Sequence, residues 1–192
     1  MPTLTVVAGP NGAGKSSVTT EGRLIKTPNL IDPDAIARAL NPSDPAQAAL
    51  SAGRRALRLE REFVAKGESF TFETTLAGNG PLSTVRAAKL TGFEIVVVFI
   101  ALDSVEVHVE RVRLRKSRGG HDVPEEDIRR RYQRSLANAP EALRIADRGI
   151  VLNNTEGEAI PLLVIKDGAI VWKRDGVLPI WAVEIERALN VR

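Results

Sequence analysis

Residues Gly9–Ser16 fit the pattern G-x-x-x-x-G-K-[ST] and follow an apolar, β-branched segment, Thr3–Ala8. The next residues, Lys15 to Glu21, can begin a helix. In this setting the glycines let backbone N–H groups turn towards phosphate oxygens, and the helix N-terminus adds positive potential. Lys15 would reach the outer phosphates, and the Ser16 hydroxyl would complete a magnesium shell. An ordinary glycine-rich turn would not need these flanking elements, so the segment predicts a binding loop for ATP or GTP.

Two carboxylates, Asp32 and Asp34, flank Pro33 directly after the short strand candidate Leu30–Ile31. One of them could act as a general base on an acceptor hydroxyl, and the other could be an outer-shell partner of magnesium. Aspartate also commonly caps the helix that follows it. The spacing alone leaves the catalytic and capping interpretations equal.

A polar cluster ends the strand candidate Ser69–Glu73, where Glu73 is followed by the hydroxyls of Thr74 and Thr75. Ligands of α/β proteins bind at the carboxyl ends of parallel strands. The cluster could therefore hold an acceptor substrate, although a glutamate at a strand end can also simply be solvated.

A basic segment between Arg111 and Arg134 contains nine Lys or Arg residues against four Asp or Glu. Guanidinium groups stabilise the charge that spreads over a phosphoryl group during transfer, and Gly119 and Gly120 would permit closure. The segment predicts an arginine-rich helical lid over about residues 104–138. A solvated basic helix face, or a surface that binds nucleic acid, would have the same composition.

The remaining sequence alternates strand and helix patterns. Phe93–Leu102 is a continuous apolar strand, Asp103 with Glu106 resembles a capping box, and Glu125–Leu136 is a helix. Pro161–Ile165 and Ala169–Trp172 flank a hairpin signal. We therefore expect one α/β domain over residues 1–192, a three-layer P-loop NTPase sandwich with a mainly parallel central sheet, the lid, and a small C-terminal hairpin plus helix.

Composition excludes several classes of protein. The 192 residues are 43% hydrophobic and 27% charged, as in a globular domain, and the net charge is +3. The longest apolar run is about eight residues, far below the roughly 20 that cross a bilayer, so no membrane span is expected. Without cysteine, disulfides are excluded and a reducing cytoplasm is the expected location.

His121 is expected to form hydrogen bonds within the lid and not to bind zinc, since His108 lacks matching ligand spacing.

Several blocks keep a specific order and spacing: Gly9–Ser17, Ile31–Asp34, Phe72–Leu76, Gly119–Pro124 and Arg129–Leu136. In these blocks, over about residues 3 to 154, the chain resembles the zeta-toxin family of P-loop kinases. The resemblance implies a kinase that uses ATP and Mg²⁺ to phosphorylate a hydroxyl of a small-molecule acceptor, a nucleotide sugar such as UDP-N-acetylglucosamine. It also implies a toxin restrained by a protein antitoxin.

The resemblance also implies roles for individual residues. By motif position Asp34 corresponds to the catalytic base, Glu73 and Thr75 to contacts with the sugar nucleotide, and Arg115 with either Arg130 or Arg131 to the lid arginines. The resulting prediction is catalytic Asp34, Lys15, Arg115, Arg130 and Arg131; ATP-binding Gly9, Pro10, Asn11, Gly12, Ala13, Gly14, Lys15, Ser16 and Ser17; substrate-binding Asp32, Asp34, Glu73, Thr74 and Thr75; and metal-binding Ser16.

The chain departs from the better-known toxins of that family, because it is shorter and has Glu-Thr-Thr where they tend to carry Glu-Gly-Thr. The acceptor therefore stays open. One alternative is a nucleic-acid end kinase or nucleotidase, which the basic segments Arg54–Arg61 and Arg111–Arg134 favour. Scarce aromatic residues, 4% of the chain, speak against it because base stacking has few candidates. The other alternative, a non-enzymatic nucleotide-binding switch, leaves the strand-end acids and the lid unexplained.

Overall fold

The computed structural model describes residues 1–20, 29–118, 120 and 123–191. The strands are β1 Thr3–Ala8, β2 Leu30–Ile31, β3 Phe70–Thr74, β4 Glu94–Ala101, β5 Arg148–Asn153, β6 Ile160–Lys166 and β7 Ala169–Lys173. The helices are α1 Lys15–Thr20, α2 Pro33–Leu40, α3 Ala49–Lys66, α4 Asn79–Leu90, α5 Val105–Ser117, α6 Glu125–Ile145 and α7 Ile180–Asn190. Within the described residues, no helix is long and apolar enough to span a membrane.

The strands form one sheet in the order β2-β3-β1-β4-β5-β6-β7. The five strands from β2 to β5 in this order pair in parallel, whereas β6 and β7 are antiparallel. Because β1 lies between β3 and β4, the loop after β1 opens into the crevice where strand connections diverge. The predicted α/β fold with a mainly parallel sheet and a C-terminal hairpin plus helix is confirmed.

Strand β4 is buried on both of its faces. Val97 and Phe99 pack in the larger core cluster, whereas Val98 and Ile100 pack with Ala13 in the smaller cluster beneath the phosphate-binding loop. Successive side chains of a strand point to opposite faces, so a continuous apolar run is what a strand between two helix layers requires. The apolar run therefore fixes this strand at the centre of the sheet.

Helix α6 ends at Ile145, nine residues beyond the predicted end at Leu136, and it continues through Pro140. A proline inside a helix removes one backbone hydrogen bond and normally costs about 3 kcal/mol or more. Here Pro140 is buried, and neighbouring residues Ala139 and Leu143 are wholly buried in the core. Burial of this helix face outweighs the local cost, which a prediction from local signals misses.

The predicted capping box of Asp103 and Glu106 is wrong. The residue that precedes α5 is Ser104, and its side chain makes no capping hydrogen bond. Asp103 instead accepts a hydrogen bond from Asn153 Nδ2 at 2.7 Å, which links the ends of β4 and β5.

Candidate active site

The loop between β1 and α1 needs its glycines. Gly9, Gly12 and Gly14 have φ of 149°, 80° and 91°, values that residues with a Cβ atom rarely adopt. A Cβ atom on Gly9 would lie 2.0 Å from the carbonyl oxygen of Ile100, and one on Gly14 would lie 2.3 Å from Asn154 Nδ2. The backbone turn and the close approach of β4 and Asn154 therefore exclude larger residues at these positions.

Lys15 lies back across this loop. Its Nζ donates hydrogen bonds to the carbonyl oxygens of Gly9 at 2.8 Å and Pro10 at 3.1 Å. The ammonium is thereby held beside the backbone that would surround phosphate groups, as the sequence motif predicts.

Several of the predicted site residues act electrostatically on Lys15. Desolvation lowers the pKa of Lys15, and the negative charges of Glu73 and Asp34 oppose this effect. Arg115 adds a like charge that lowers the pKa further. The structure thus brings Lys15, Asp34, Glu73 and Arg115, which come from four separate segments, to one region.

Glu73 stands at the end of β3, which pairs in parallel with β1, and its side chain is almost fully buried. Its carboxylate accepts hydrogen bonds from Ser16 Oγ at 3.0 Å and from Thr19 Oγ1. Burial raises the pKa of Glu73, and these two hydroxyls oppose the increase. The predicted acceptor contact therefore lies directly beside the predicted metal residue, Ser16.

Hydroxyl and carboxylate oxygens are the ligands that Mg²⁺ prefers in proteins. Ser16 and Glu73 supply both kinds of oxygen at one place, so the residues present fit this ion. Among the residues that the structure describes, no group of three or more His, Asp or Glu side chains forms a metal site by itself. A magnesium ion here would need phosphate or water oxygens to complete its coordination.

The two aspartates around Pro33 have different environments. Asp32 precedes α2, and its Oδ1 accepts a hydrogen bond from the Asp34 backbone N–H at 2.8 Å. Its Oδ2 lies 3.6 Å from Arg38 Nη2. Asp34 is exposed in the first turn of α2, and within the described residues no hydrogen bond to its carboxylate occurs. Asp32 is therefore the helix cap, whereas the carboxylate of Asp34 is available to contact a ligand.

The two threonines after Glu73 also differ. Thr74 Oγ1 accepts a hydrogen bond from the Leu76 N–H at 2.9 Å, and the Thr74 carbonyl accepts one from the Gly9 N–H at 3.2 Å. Thr74 therefore shapes the turn at the end of β3 and joins it to the phosphate-binding loop. Thr75 is half-buried.

The arginines of the predicted lid separate into two groups. Arg131 on α6 reaches the phosphate-binding loop, with Nη1 3.5 Å from Asn11 Oδ1. Both arginines pair with Asp127, Arg130 at 2.5 Å and Arg131 at 3.6 Å, and the side chain of Arg130 is 53% exposed. Of the two residues that the sequence could not distinguish, only Arg131 contacts the loop within the part of the chain that the structure describes.

The loop after α5 packs closely on Arg115. The Gly120 N–H donates to the Arg115 carbonyl at 2.9 Å, and a Cβ atom on Gly120 would lie 2.5 Å from Arg115 Cγ. This close approach requires glycine at position 120. The predictions for Gly119 and His121 fall outside the described residues.

His108 on α5 is a site residue that the sequence analysis missed, because it was tested only as a metal ligand. It is wholly buried, and its Nδ1 lies 2.8 Å from the Asn11 carbonyl oxygen. The Leu102 N–H donates to its Nε2 at 3.1 Å. Nε2 is therefore the acceptor and Nδ1 carries the proton, as in a neutral imidazole. Desolvation lowers the pKa of His108 to about 4.

Asn154 is a second residue that the sequence analysis did not select. Its Nδ2 donates to the Ala13 carbonyl in the phosphate-binding loop at 2.9 Å. Arg111 Nη2 donates to the carbonyl oxygens of Asn154 and Thr155, each at 2.7 Å. Asn153 is the last residue of β5, and the polar residues Asn154 and Thr155 follow it directly. This polar run at the carboxyl edge of the sheet could have identified them.

A cleft of about 350 Å³ lies beside the end of β3. This volume is within the range of about 300 to 1,000 Å³ that is common for ligand pockets. Its walls are mainly apolar, and its charged residues are Arg54, Glu60 and Glu73. Burial raises the pKa of Glu60, which accepts a hydrogen bond from Thr84 Oγ1 at 2.7 Å. The lining residues are Pro33, Ala49, Leu50, Gly53, Arg54, Ala56, Leu57, Glu60, Phe72, Glu73, Thr74, Gly80 and Pro81.

Comparison with other sequences finds one informative relative. An uncharacterized protein of Haemophilus influenzae is 33% identical over 124 residues, which are 65% of this chain and 88% of that protein. No family model matches the chain.

Chains of two protein complexes are among the solved structures that share this fold. A chain of the AvrRxo1-ORF1:AvrRxo1-ORF2 complex superposes with a TM-score of 0.73 at 16% identity. The match covers 100% of this chain but only 65% of that chain, and the complex is also known with ATP. A chain of the PezAT toxin–antitoxin system of Streptococcus pneumoniae gives a TM-score of 0.61 at 17% identity, covering 98% of this chain and 78% of that one.

The buried His108 predicts how stability depends on pH. Its pKa in the folded protein is about 4, below the ordinary value of 6.5, so the unfolded chain binds the proton more readily. The neutral, buried His108 therefore makes its full contribution to the stability of the folded protein above pH 6.5, and this contribution is lost as the pH falls towards 4. Between pH 7 and pH 4.5 the free energy of unfolding of the wild type, measured in urea, should fall by about 2 kcal/mol more than that of His108→Gln. Equal losses in both proteins would contradict the assignment of a neutral, buried imidazole.

Proposed function

The chain belongs to the same family as the uncharacterized Haemophilus influenzae protein, and from its site we propose that it is an ATP- and magnesium-dependent kinase. It would transfer the γ-phosphate to a hydroxyl of a small-molecule acceptor. The observation that carries the proposal is that Glu73, beside the cleft at the end of β3, accepts a hydrogen bond from Ser16 of the phosphate-binding loop, while Asp34 is near enough to act electrostatically on Lys15. A loop for phosphates alone would suit a switch or a hydrolase, whereas the added carboxylates and cleft suit transfer.

The nucleotide would bind to Gly9–Ser17, with phosphate oxygens taking the place of the Gly9 and Pro10 carbonyls as partners of Lys15. The ATP complex of a protein with the same fold supports this choice of nucleotide. Ser16, supported by Glu73, would hold Mg²⁺, which neutralises charge on the phosphates when it is bound. Arg115 and Arg131 would be the cations that stabilise the transferred group, because Arg115 acts electrostatically on Lys15 and Arg131 contacts the loop at Asn11. Arg130 has no contact with the loop among the described residues.

Asp34 is our candidate for the general base. Asp32 caps α2, whereas Asp34 has no hydrogen-bonded partner within the described residues. Both carboxylates act electrostatically on Lys15, and the effect of Asp34 is the larger. A carboxylate in this position could accept the proton of an acceptor hydroxyl while Lys15 contacts the phosphate that the hydroxyl attacks.

The acceptor would occupy the cleft at the end of β3. The buried carboxyls Glu60 and Glu73 suit neutral hydroxyl groups, and the apolar walls suit a ring. Arg54 suits an anionic group, which the two carboxyls would repel elsewhere in the cleft. A nucleotide sugar such as UDP-N-acetylglucosamine combines all three features. Because a chain with this fold belongs to a toxin–antitoxin system, a role as a toxin with a protein antitoxin is part of the proposal.

The proposal is tested by incubating the protein with ATP, Mg²⁺ and a panel of nucleotide sugars, sugars and one 5′-hydroxyl oligonucleotide. Mass spectrometry should detect the gain of one phosphate on a small-molecule acceptor. Transfer to the oligonucleotide alone would support the end-kinase alternative, for which the exposed arginines of α3 are the favouring observation. ATP binding without transfer to any acceptor would contradict the kinase proposal and support a switch.

Asp34→Asn should lower kcat by about 10²-fold or more, the usual contribution of a general base. ATP affinity should stay within about threefold of wild type. Asp32→Asn is the matched control, since asparagine caps helices as well as aspartate does, and it should retain kcat within severalfold. The measurement is the steady-state kinetics of both variants with the acceptor that the panel identifies. Full activity of Asp34→Asn would remove Asp34 from the mechanism.

Arg54→Gln should raise the acceptor KM about tenfold or more while kcat changes little, because a charge-assisted hydrogen bond to the substrate is lost. Arg55→Gln is the control. It removes the same charge from an exposed neighbour that lies about 100° around the helix and does not line the cleft. Steady-state kinetics with varied acceptor should separate the two variants, and equal KM values would show that only the general charge of α3 matters.

A further inference from the structure

Leu76, two residues beyond β3, has an uncommon backbone conformation. Its φ is 55°, in the left-handed region, and its side chain is wholly buried. A residue with a Cβ atom adopts this conformation at a cost, and it persists only where neighbouring groups hold it. Because the turn follows Thr75 directly, it sets the direction in which the acceptor-side residues 73–75 face.

Two side chains hold this turn. Thr74 Oγ1 accepts the hydrogen bond of the Leu76 N–H at 2.9 Å, and Asn138 Nδ2 on α6 donates to the Leu76 carbonyl at 2.8 Å. The Thr74 carbonyl in turn accepts from the Gly9 N–H at 3.2 Å. The turn therefore connects β3, the phosphate-binding loop and α6. Asn138 is the contact that comes from α6, 62 residues away in sequence.

Asn138 shares a face of α6 with Arg131 and Ser135, since residues i, i+4 and i+7 lie above one another on a helix. Arg131, at one end of this polar face, contacts Asn11 in the phosphate-binding loop. Ser135 is wholly buried, and its Oγ has no hydrogen-bond partner among the described residues. One helix face thus reaches the nucleotide side with Arg131 and the acceptor side with Asn138.

We infer that Asn138 is a positioning residue for phosphoryl transfer. Its amide fixes the turn at Leu76 to α6, so the acceptor-side residues Glu73–Thr75 and the cation of Arg131 keep one relative placement. Asn138 would contact neither substrate. This inference rests on the proposed kinase function for its kinetic consequence, whereas the structural link itself does not depend on that function.

The link to Leu76 depends on the N–H donor of the Asn138 amide and not on the volume of the side chain. Asn138→Asp keeps nearly the same volume but presents a carboxylate to the Leu76 carbonyl, so two acceptors face each other. A protonated carboxyl can donate again, which gives this variant a pH dependence that a packing role would lack. Asn138→Ala removes the donor without introducing this repulsion.

The kinetic test compares these variants with Gln133→Ala, which removes an exposed amide from the same helix. Asn138→Ala should lower kcat/KM for the acceptor about tenfold, or about 1.4 kcal/mol. The affinity for ATP should stay within threefold. Asn138→Asp should be worse at pH 8 and should recover relative to wild type at pH 5, and Gln133→Ala should match wild type. Wild-type kinetics of Asn138→Asp at pH 8 would overturn the inference.

Hydrogen exchange tests the same link without any acceptor. In Asn138→Ala the Leu76 amide should exchange roughly tenfold faster, while amides in the centre of β1 should keep their wild-type rates. Unchanged exchange at Leu76 would overturn the inference. If exchange accelerates but the wild type transfers phosphate to no acceptor, the link stands and the proposed function fails.

Discussion

The site depends on the close contact between the phosphate-binding loop and the backbone around it. Gly9 lies against the Ile100 carbonyl, and Gly14 against the Asn154 side chain, so tightly that neither can carry a Cβ atom. On the side of the loop away from β3, His108 and Asn154 donate hydrogen bonds to loop carbonyl oxygens. In the proposed kinase, a loop held in this way would present its N–H groups to phosphate with little reorganisation, which is the condition for effective electrostatic stabilisation.

Four carboxyl groups around the loop and the cleft differ in role because their environments differ. Asp32 bonds to the start of α2, and Asp34 is exposed beside it. Glu73 is buried against hydroxyls of α1, and Glu60 is buried in the wall of the cleft. Burial raises the pKa of both glutamates, so each can hold or accept a proton more readily than a solvated side chain. Identical residue types therefore do not imply identical chemistry.

Local patterns predicted much of this structure, and contacts between distant segments account for what they missed. The loop Gly9–Ser16 and the apolar strands follow from residue type and spacing, so the sheet and the position of this loop after β1 could be predicted. The capping role of Asp32 required the actual path of the chain. His108 and Asn154 act through backbone carbonyls 97 and 141 residues away. The polar residues at the end of β5 could have pointed to Asn154, but a single sequence does not show which carbonyl either side chain contacts. The continuation of α6 through Pro140 depends on tertiary burial in the same way.

The central claim is that Gly9–Ser16 is a preformed site for the phosphates of ATP. The structure of the ATP–Mg²⁺ complex tests it most directly. We predict that Lys15 Nζ leaves the carbonyls of Gly9 and Pro10 for phosphate oxygens, while the loop backbone moves by less than about 1 Å. A nucleotide bound elsewhere, or a loop that must refold to admit it, would contradict the account.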